Sequence, residues 1–371
     1  MPATGHCPPT AQVRDVRVGA FRVPTDTPES DGTLEWSATT LVVVEIVSGG
    51  QRGLGYTYAD AAIARLIDDQ LRPVLEDGDA FDIPGLWRAM FDRLRNGGRR
   101  GATAMAVSAV DVALWDLKAR LLGVPLAGLF GRTGAEVPVY GSGGFTSYAE
   151  EQLRRQFAEW AGEGITHFKM KVGREPAQDR ARVRQARAVV GDRAVLMVDA
   201  NSAYERRQAL EWGEWLAGEA DVRWLEQPLR PEDRAGLAWL RARAPAQLEI
   251  TDGEYGYVAD DFRRMLEAEA VDVVMADATR CGGYTGLLQV AALCEAWNLP
   301  LSTHCAPALH VPIAAALRPL RHVEYFHDHA RIEQELFAGV RPPVEGCLAA
   351  DPSVAGAGWE FRWSDADRYQ A

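Results

Sequence analysis

Several features are missing from this 371-residue chain, and each absence excludes something. Its five cysteines, Cys7, Cys281, Cys294, Cys305 and Cys347, are odd in number, scattered and never spaced C-x-x-C. That argues against a disulfide framework or a zinc knuckle. No apolar run approaches the ~18 residues of a membrane span. The opening MPATGHCPPTAQVRD lacks the apolar stretch of a secretory signal. Positive charge is also short. Forty Lys and Arg stand against 52 Asp and Glu, a formal net charge of −12, which disfavours nucleic acid and anionic membrane as partners. The expectation is a cytoplasmic protein in a reducing setting.

What is present is ample apolar material. Hydrophobic residues make up 47% of the chain, and the length suggests about two domains. Residues 12–23 (QVRDVRVGAFRV) and 40–47 (TLVVVEIV) read as strands. The polar PTDTPESDGTLEWSA between them reads as a mobile functional loop, and GLGYTYADAA as a second loop. In TAMAVSAVDVALWDLKARLLGVP, Val107, Val110, Leu114, Leu117 and Leu121 recur at helical steps, and Gly123 and Pro125 end the helix. Asp111 and Asp116 within it are read as structural. Residues 1–132 are thus expected to form a small α+β domain.

Beyond that point short strand-like runs begin at Val137, His167, Val195, Val222, Leu248, Val271, Pro300 and His322. Most gaps between them read as helix, for example AEEQLRRQFAEWAGEG. Eight such units predict a parallel α/β barrel over residues 133–330. Little helical pattern follows the last strand. Residues 331–371 are expected to return to the first domain.

The carboxyl ends of these runs carry Lys169 and Lys171, Asp199, Glu226, Glu254, Asp277, His304 and Glu324. Barrel active sites form at that end. Asp199, Glu226 and Glu254 come from three successive strands, and together they would repel without a hard cation; Mg²⁺ is the natural partner, with Mn²⁺ an alternative. Lys169 can hold a substrate carboxylate and lower the pKa of Lys171, making the latter a general base. Asp277 can orient His304 for proton transfer. Glu324, protonated in a dry pocket, can hydrogen-bond a developing oxyanion. His167, His310, His322, His327 and His329 lack a comparable setting, although FHDHARIE suggests a local network.

As a group these motifs resemble the enolase superfamily in its mandelate racemase subgroup. KMK is similar to the K-x-K strand; VDAN, LEQP and DGE to the three ligand strands; MADATRCGG and STHC to the Asp–His strands; and HVEYF to the strand bearing the last glutamate. MAD departs from the more frequent Gln-Pro-Asp but keeps the aspartate. An aspartate at position 277 argues against the muconate-lactonizing and dipeptide-epimerase subgroup. The resemblance implies a modified (β/α)7β TIM barrel with an α+β N-terminal capping domain. It implies Mg²⁺ on Asp199, Glu226 and Glu254, with Lys171 and His304 on opposite faces of a substrate α-carbon. The implied partner is a small-molecule carboxylate, and the implied assembly a homo-oligomer.

Two outcomes are consistent with that chemistry: dehydration of a sugar acid, an aldonate or aldarate, which is favoured, and racemisation of a 2-hydroxy acid. Thr25, Thr27, Ser30, Trp36, Tyr56 and Tyr58 are offered as loop residues over the substrate. A Schiff-base aldolase, a zinc hydrolase and a non-catalytic barrel scaffold are the rival readings. The carboxylate triad disfavours the first, the lack of H-x-H and H-E-x-x-H the second, and the full set of strand-end residues the third.

Overall fold

The computed structural model describes residues 11–131 and 136–371. Cys7, the opening stretch and the expected boundary at 132/133 lie outside the described residues. The N-terminal region is an antiparallel sheet in the order β1 (Asp15–Ser30), β2 (Glu35–Ser48), β3 (Gln51–Tyr58). The long helix Ala102–Leu122 packs against it.

Both loop expectations are corrected here. The polar segment after Val23 continues β1. Pairing with β2 runs to Pro24↔Ala38, slips, and resumes at Glu29↔Trp36. Proline has no N–H to give the ladder, so the slip falls beside it. The turn is then closed by Asp31 Oδ1, which accepts from the N–H of Thr33 at 2.6 Å and of Leu34 at 2.7 Å. GLGYTY is β3 itself. A Cβ on Gly53 would sit 2.2 Å from the Ala113 carbonyl oxygen, and one on Gly55 would sit 2.1 Å from that of Ala109. The glycines mark backbone-close packing on the long helix, not a turn.

The C-terminal region is a closed barrel of parallel strands: β4 (Val137–Gly143), β5 (His167–Lys171), β6 (Val195–Asp199), β7 (Val222–Glu226), β8 (Glu249–Asp252), β9 (Val273–Ala276), β10 (Leu301–Thr303) and β11 (Leu320–Phe326). Each pairs with the next, and β11 returns to β4 with Glu324 opposite Tyr140. Helices occupy the connections, from Glu150–Gly162 to Pro307–Ala314. The fold is an α/β modified TIM barrel with an α+β cap. Strand alternation sorts the side chains. On β5, Phe168 and Met170 join the core shared with the surrounding helices, whereas Lys169 turns inward, its Nζ 5.1 Å from the Tyr140 ring centroid. Tyr140, Met197, Trp224, Val273 and Met275 fill the interior below the mouth.

A helix, His327–Leu336, does follow the last strand. Its polar first turns hide the apolar period, because Asp328 and Glu333 are buried alongside Ile332 and Leu336. Past it, Trp363 lies under the Arg17 guanidinium, and the Ala371 N–H donates to the Ala20 carbonyl at 3.0 Å. Asp111 and Asp116 are both fully buried. Asp111 accepts from the N–H and hydroxyl of Thr285 across the cap–barrel seam. Asp116 accepts from the Leu54 N–H at 2.9 Å, the Ala357 N–H at 2.6 Å and Arg120 Nε at 2.8 Å. Among the described residues, no helix is long and apolar enough to cross a membrane.

Candidate active site

The strand-end residues meet at the carboxyl end of the barrel, beneath the cap. The carboxylates of Asp199, Glu226 and Glu254 each bring an oxygen within 4.8 Å of the others, and all three are buried. Each has a close basic partner, and Asp199 and Glu254 have a second, more distant one in Lys169 at 4.0 Å and Arg280 at 3.8 Å. Lys171 Nζ lies 2.5 Å from Asp199 Oδ2, Lys169 Nζ 2.7 Å from Glu226 Oε1, and His304 Nε2 2.9 Å from Glu254 Oε2. His304 Nδ1 lies 2.8 Å from Asp277 Oδ2. Lys169 also reaches Glu324 Oε1 at 2.8 Å, and Glu324 Oε2 accepts from the Cys305 N–H at 2.6 Å. The eight residues form one connected polar cluster.

The electrostatics differ from expectation at two of them. Burial and the Lys169 charge do push Lys171 toward the neutral amine, but Asp199, with help from Glu254 and Glu324, outweighs them and raises its pKa. In this arrangement Lys171 is an ammonium. Burial would raise Glu324, but Lys169, His304 and Lys171 hold it below the usual carboxylate range. It is therefore ionised, not a protonated donor. Sequence alone could not weigh these terms, since they depend on contact distances.

The remaining groups follow the same physics. Burial opposes an imidazolium at His304, yet the carboxylates of Glu254 at 2.9 Å and Asp277 at 2.8 Å raise its pKa well above the ordinary value. Burial would raise Asp277, but His304 and Arg280 carry it down to about 2. Glu226 is raised to about 7 by burial, against the pull of Lys169.

The triad fits a hard divalent cation. Its donors are all carboxylate oxygens and lie close together, the hard ligand set that Mg²⁺ or Mn²⁺ prefers. His304, Cys305 and Glu324 form an equally tight group. That group offers a thiol and an imidazole beside one carboxylate, a softer donor set than Mg²⁺ takes.

A cavity of about 400 Å³ opens over the cluster, bordered by Lys171, Glu254, His304 and, from the cap, Asp31, Trp36 and Tyr58. That volume suits a small ligand. Of the other residues offered from the cap, Tyr56 is buried and donates to Glu333 Oε1 at 2.6 Å, away from the mouth. Thr27 accepts from Gln152, and Ser30 pairs with Thr146. Thr25 is not among the cavity residues. Sequence reasoning missed Asn201, Tyr255, Arg280, Cys305, Phe326 and His329, which border the same cavity. Arg280, three residues past Asp277, had a usable signal, since a turn after a strand end places i+3 over the same mouth. His310 is structural: its Nε2 accepts from the Ala278 N–H at 2.9 Å.

Residues 15–131 match the family described as "Mandelate racemase / muconate lactonizing enzyme, N-terminal domain", and residues 152–366 match "Enolase C-terminal domain-like". A 3,6-anhydro-alpha-L-galactonate cycloisomerase of Streptomyces coelicolor is 34% identical over 91% of this chain and 94% of its own length. A mandelate racemase/muconate lactonizing enzyme-like protein from Rubrobacter xylanophilus superposes with a TM-score of 0.95, at 50% identity, over 97% of this chain and all of its own. An L-talarate dehydratase from Polaromonas, solved with Mg and L-glucarate, superposes with a TM-score of 0.86, at 30% identity, over 97% of each chain. The chain belongs to the mandelate racemase / muconate lactonizing enzyme family of the enolase superfamily.

Proposed function

We propose that this enzyme removes the proton α to a carboxylate of a sugar acid and expels the oxygen on the β-carbon, giving a 2-keto-3-deoxy acid. One observation carries this reading. The triad is bracketed by two proton-transfer groups, Lys171 against Asp199 and His304 against Glu254, so an acid held between them meets a base on one side and an acid on the other.

Asp199, Glu226 and Glu254 would hold Mg²⁺, which supplies Lewis-acid neutralisation of charge on the substrate carboxylate. Lys169, fully buried, adds fixed positive charge at the same place, and Glu226 and Glu324 hold it there. Were Asp199 and Glu254 to serve as ligands, Glu324 alone would still favour the ammonium, and burial with Lys169 would push Lys171 toward the amine that can accept the α-proton. His304, an imidazolium steadied by Asp277, donates its proton to the departing β-hydroxyl, which leaves as water. The resulting enol takes a proton at the β-carbon and releases its hydroxyl proton to become the ketone. We assign Glu324 to anchoring Lys169 beside the enediolate oxygens.

The 34% identical cycloisomerase favours a second reading with the same first step. If the β-oxygen belongs to an ether ring, its expulsion opens the ring and no water is lost. Racemisation, by reprotonation from the opposite face, remains the third outcome of this geometry.

We place the division between cap and chemistry at 132/133, with residues 331–371 strapping the two together. We also place the enzyme in the cytoplasm as a homo-oligomer acting on a small-molecule carboxylate. The described cysteines, all free thiols, support the compartment, and family membership supports the assembly. The test is a screen of aldonates, aldarates and anhydro-aldonates with Mg²⁺ for 2-keto-3-deoxy products, run in ²H₂O with an EDTA control. Product formation abolished by EDTA is expected. No product and no α-proton exchange with any of these acids overturns the reading.

A further inference from the structure

His329 lies in the first turns of the helix His327–Leu336, yet it borders the mouth cavity. Its ring is stacked on Tyr58 of the cap, with centroids 3.4 Å apart and planes 12° from parallel. The Phe326 ring meets it edge-on at 5.0 Å. The Tyr58 hydroxyl adds a contact to the His329 carbonyl oxygen at 3.4 Å. This imidazole has little freedom to turn.

Its hydrogen bonding fixes which nitrogen carries the proton. Nδ1 accepts from the Ala306 N–H at 3.3 Å. A nitrogen that accepts has no proton, so the neutral ring carries its hydrogen on Nε2. Burial, reinforced by the nearby His304 charge, keeps the ring well below its ordinary pKa and therefore neutral. Among the described residues, Nε2 has no hydrogen-bond partner, and it is not among the sealed polar atoms. It is a donor left for whatever occupies the cavity.

We propose that His329 is a specificity-determining residue, which presents Nε2–H to a hydroxyl or carboxyl oxygen of a polyhydroxylated acid beyond the reacting carbons, on the His304 side of the mouth. Ala306, which anchors its other nitrogen, lies two residues after His304, and this fixes the side. The inference rests on the sugar-acid reading and deepens it. A 2-hydroxy acid with no further oxygens has nothing to offer this donor. Tyr58 acts as a positioning residue, since the cap strand that carries it presses the imidazole into place.

The test is calorimetric binding of gluconate, galactarate and lactate to the Mg²⁺-loaded protein, in a Lys171→Ala background that halts turnover. His329→Leu should weaken gluconate or galactarate by roughly tenfold and leave lactate unchanged. His329→Gln, which restores a donor, should recover most of the loss. Nitrogen-detected NMR of the unsubstituted ring should report the Nε2–H tautomer and needs no variant to fold. An Nδ1–H tautomer, equal weakening of all three acids, or tight polyol binding indifferent to His329→Leu overturns the assignment while leaving the sugar-acid reading intact. Polyhydroxy acids binding no better than lactate to the protein with His329 in place would instead bring down that reading, and this inference with it.

Discussion

Lys171 Nζ lies 2.5 Å from Asp199 Oδ2, so the group assigned as base is salt-bridged to a group assigned as metal ligand. One carboxylate oxygen cannot serve an ammonium and a divalent cation at full strength. Lys171→Met should therefore bind Mg²⁺ about tenfold more tightly, while losing at least about 10³-fold in turnover. Titration calorimetry checks the first, and steady-state rates the second. Unchanged or weaker Mg²⁺ binding would show that the two do not compete.

Asp277 raises the pKa of His304 through the 2.8 Å contact to Nδ1. Asp277→Asn removes that charge, so the imidazolium should persist only to lower pH. The alkaline limb of the kcat profile should move toward acid, and the rate at the optimum should fall by about 10²-fold or more. A profile unmoved on its alkaline side would mean that His304 does not act as the acid.

Glu29 is buried beneath Trp36, whose Nε1 donates to Oε2 at 2.9 Å. Burial first, and Asp328 second, raise its pKa to about 9. The folded protein thus holds a proton that the unfolded chain releases near pH 4.5. Stability should fall as pH rises from there toward 9. Glu29→Gln should flatten this slope and gain about 1 kcal/mol or more at pH 8, read from denaturant midpoints. An equal slope in both proteins would contradict the buried neutral acid.

Gly55 lies where a Cβ would fall 2.1 Å from the Ala109 carbonyl oxygen. Gly55→Ala should cost about 2–3 kcal/mol in overpacking. Gly50, with nothing within 4 Å of its virtual Cβ, marks the contrast, although its positive φ of 77° carries its own strain. A Gly55→Ala protein as stable as the parent would mean that β3 can move off the long helix cheaply.

The barrel was legible because its strands carry their chemistry at a repeated place. Lys169, Asp199, Glu226 and His304 each fall where a short apolar run ends, and a closed parallel sheet collects those ends at one mouth. The hairpin was not legible, because PTDTPES and GLGY use turn-type residues for a proline-associated slip and for close backbone approach. The charge states of Lys171 and Glu324 were out of reach for another reason. They are set by which neighbour wins at 2.5–2.8 Å, and the order of residues along a chain holds no such distances. His329 was obscured by its address, a helix after the last strand, when only the partner strand from the cap brings Tyr58 over it.

Asp116 receives one hydrogen bond from Leu54 and another from Ala357, residues separated by most of the polypeptide. During synthesis the earlier strand and helix must wait, with a buried carboxylate only partly satisfied, until the ribosome has delivered the segment past position 356. Completion of the cap's core is thereby tied to the arrival of the C-terminal segment.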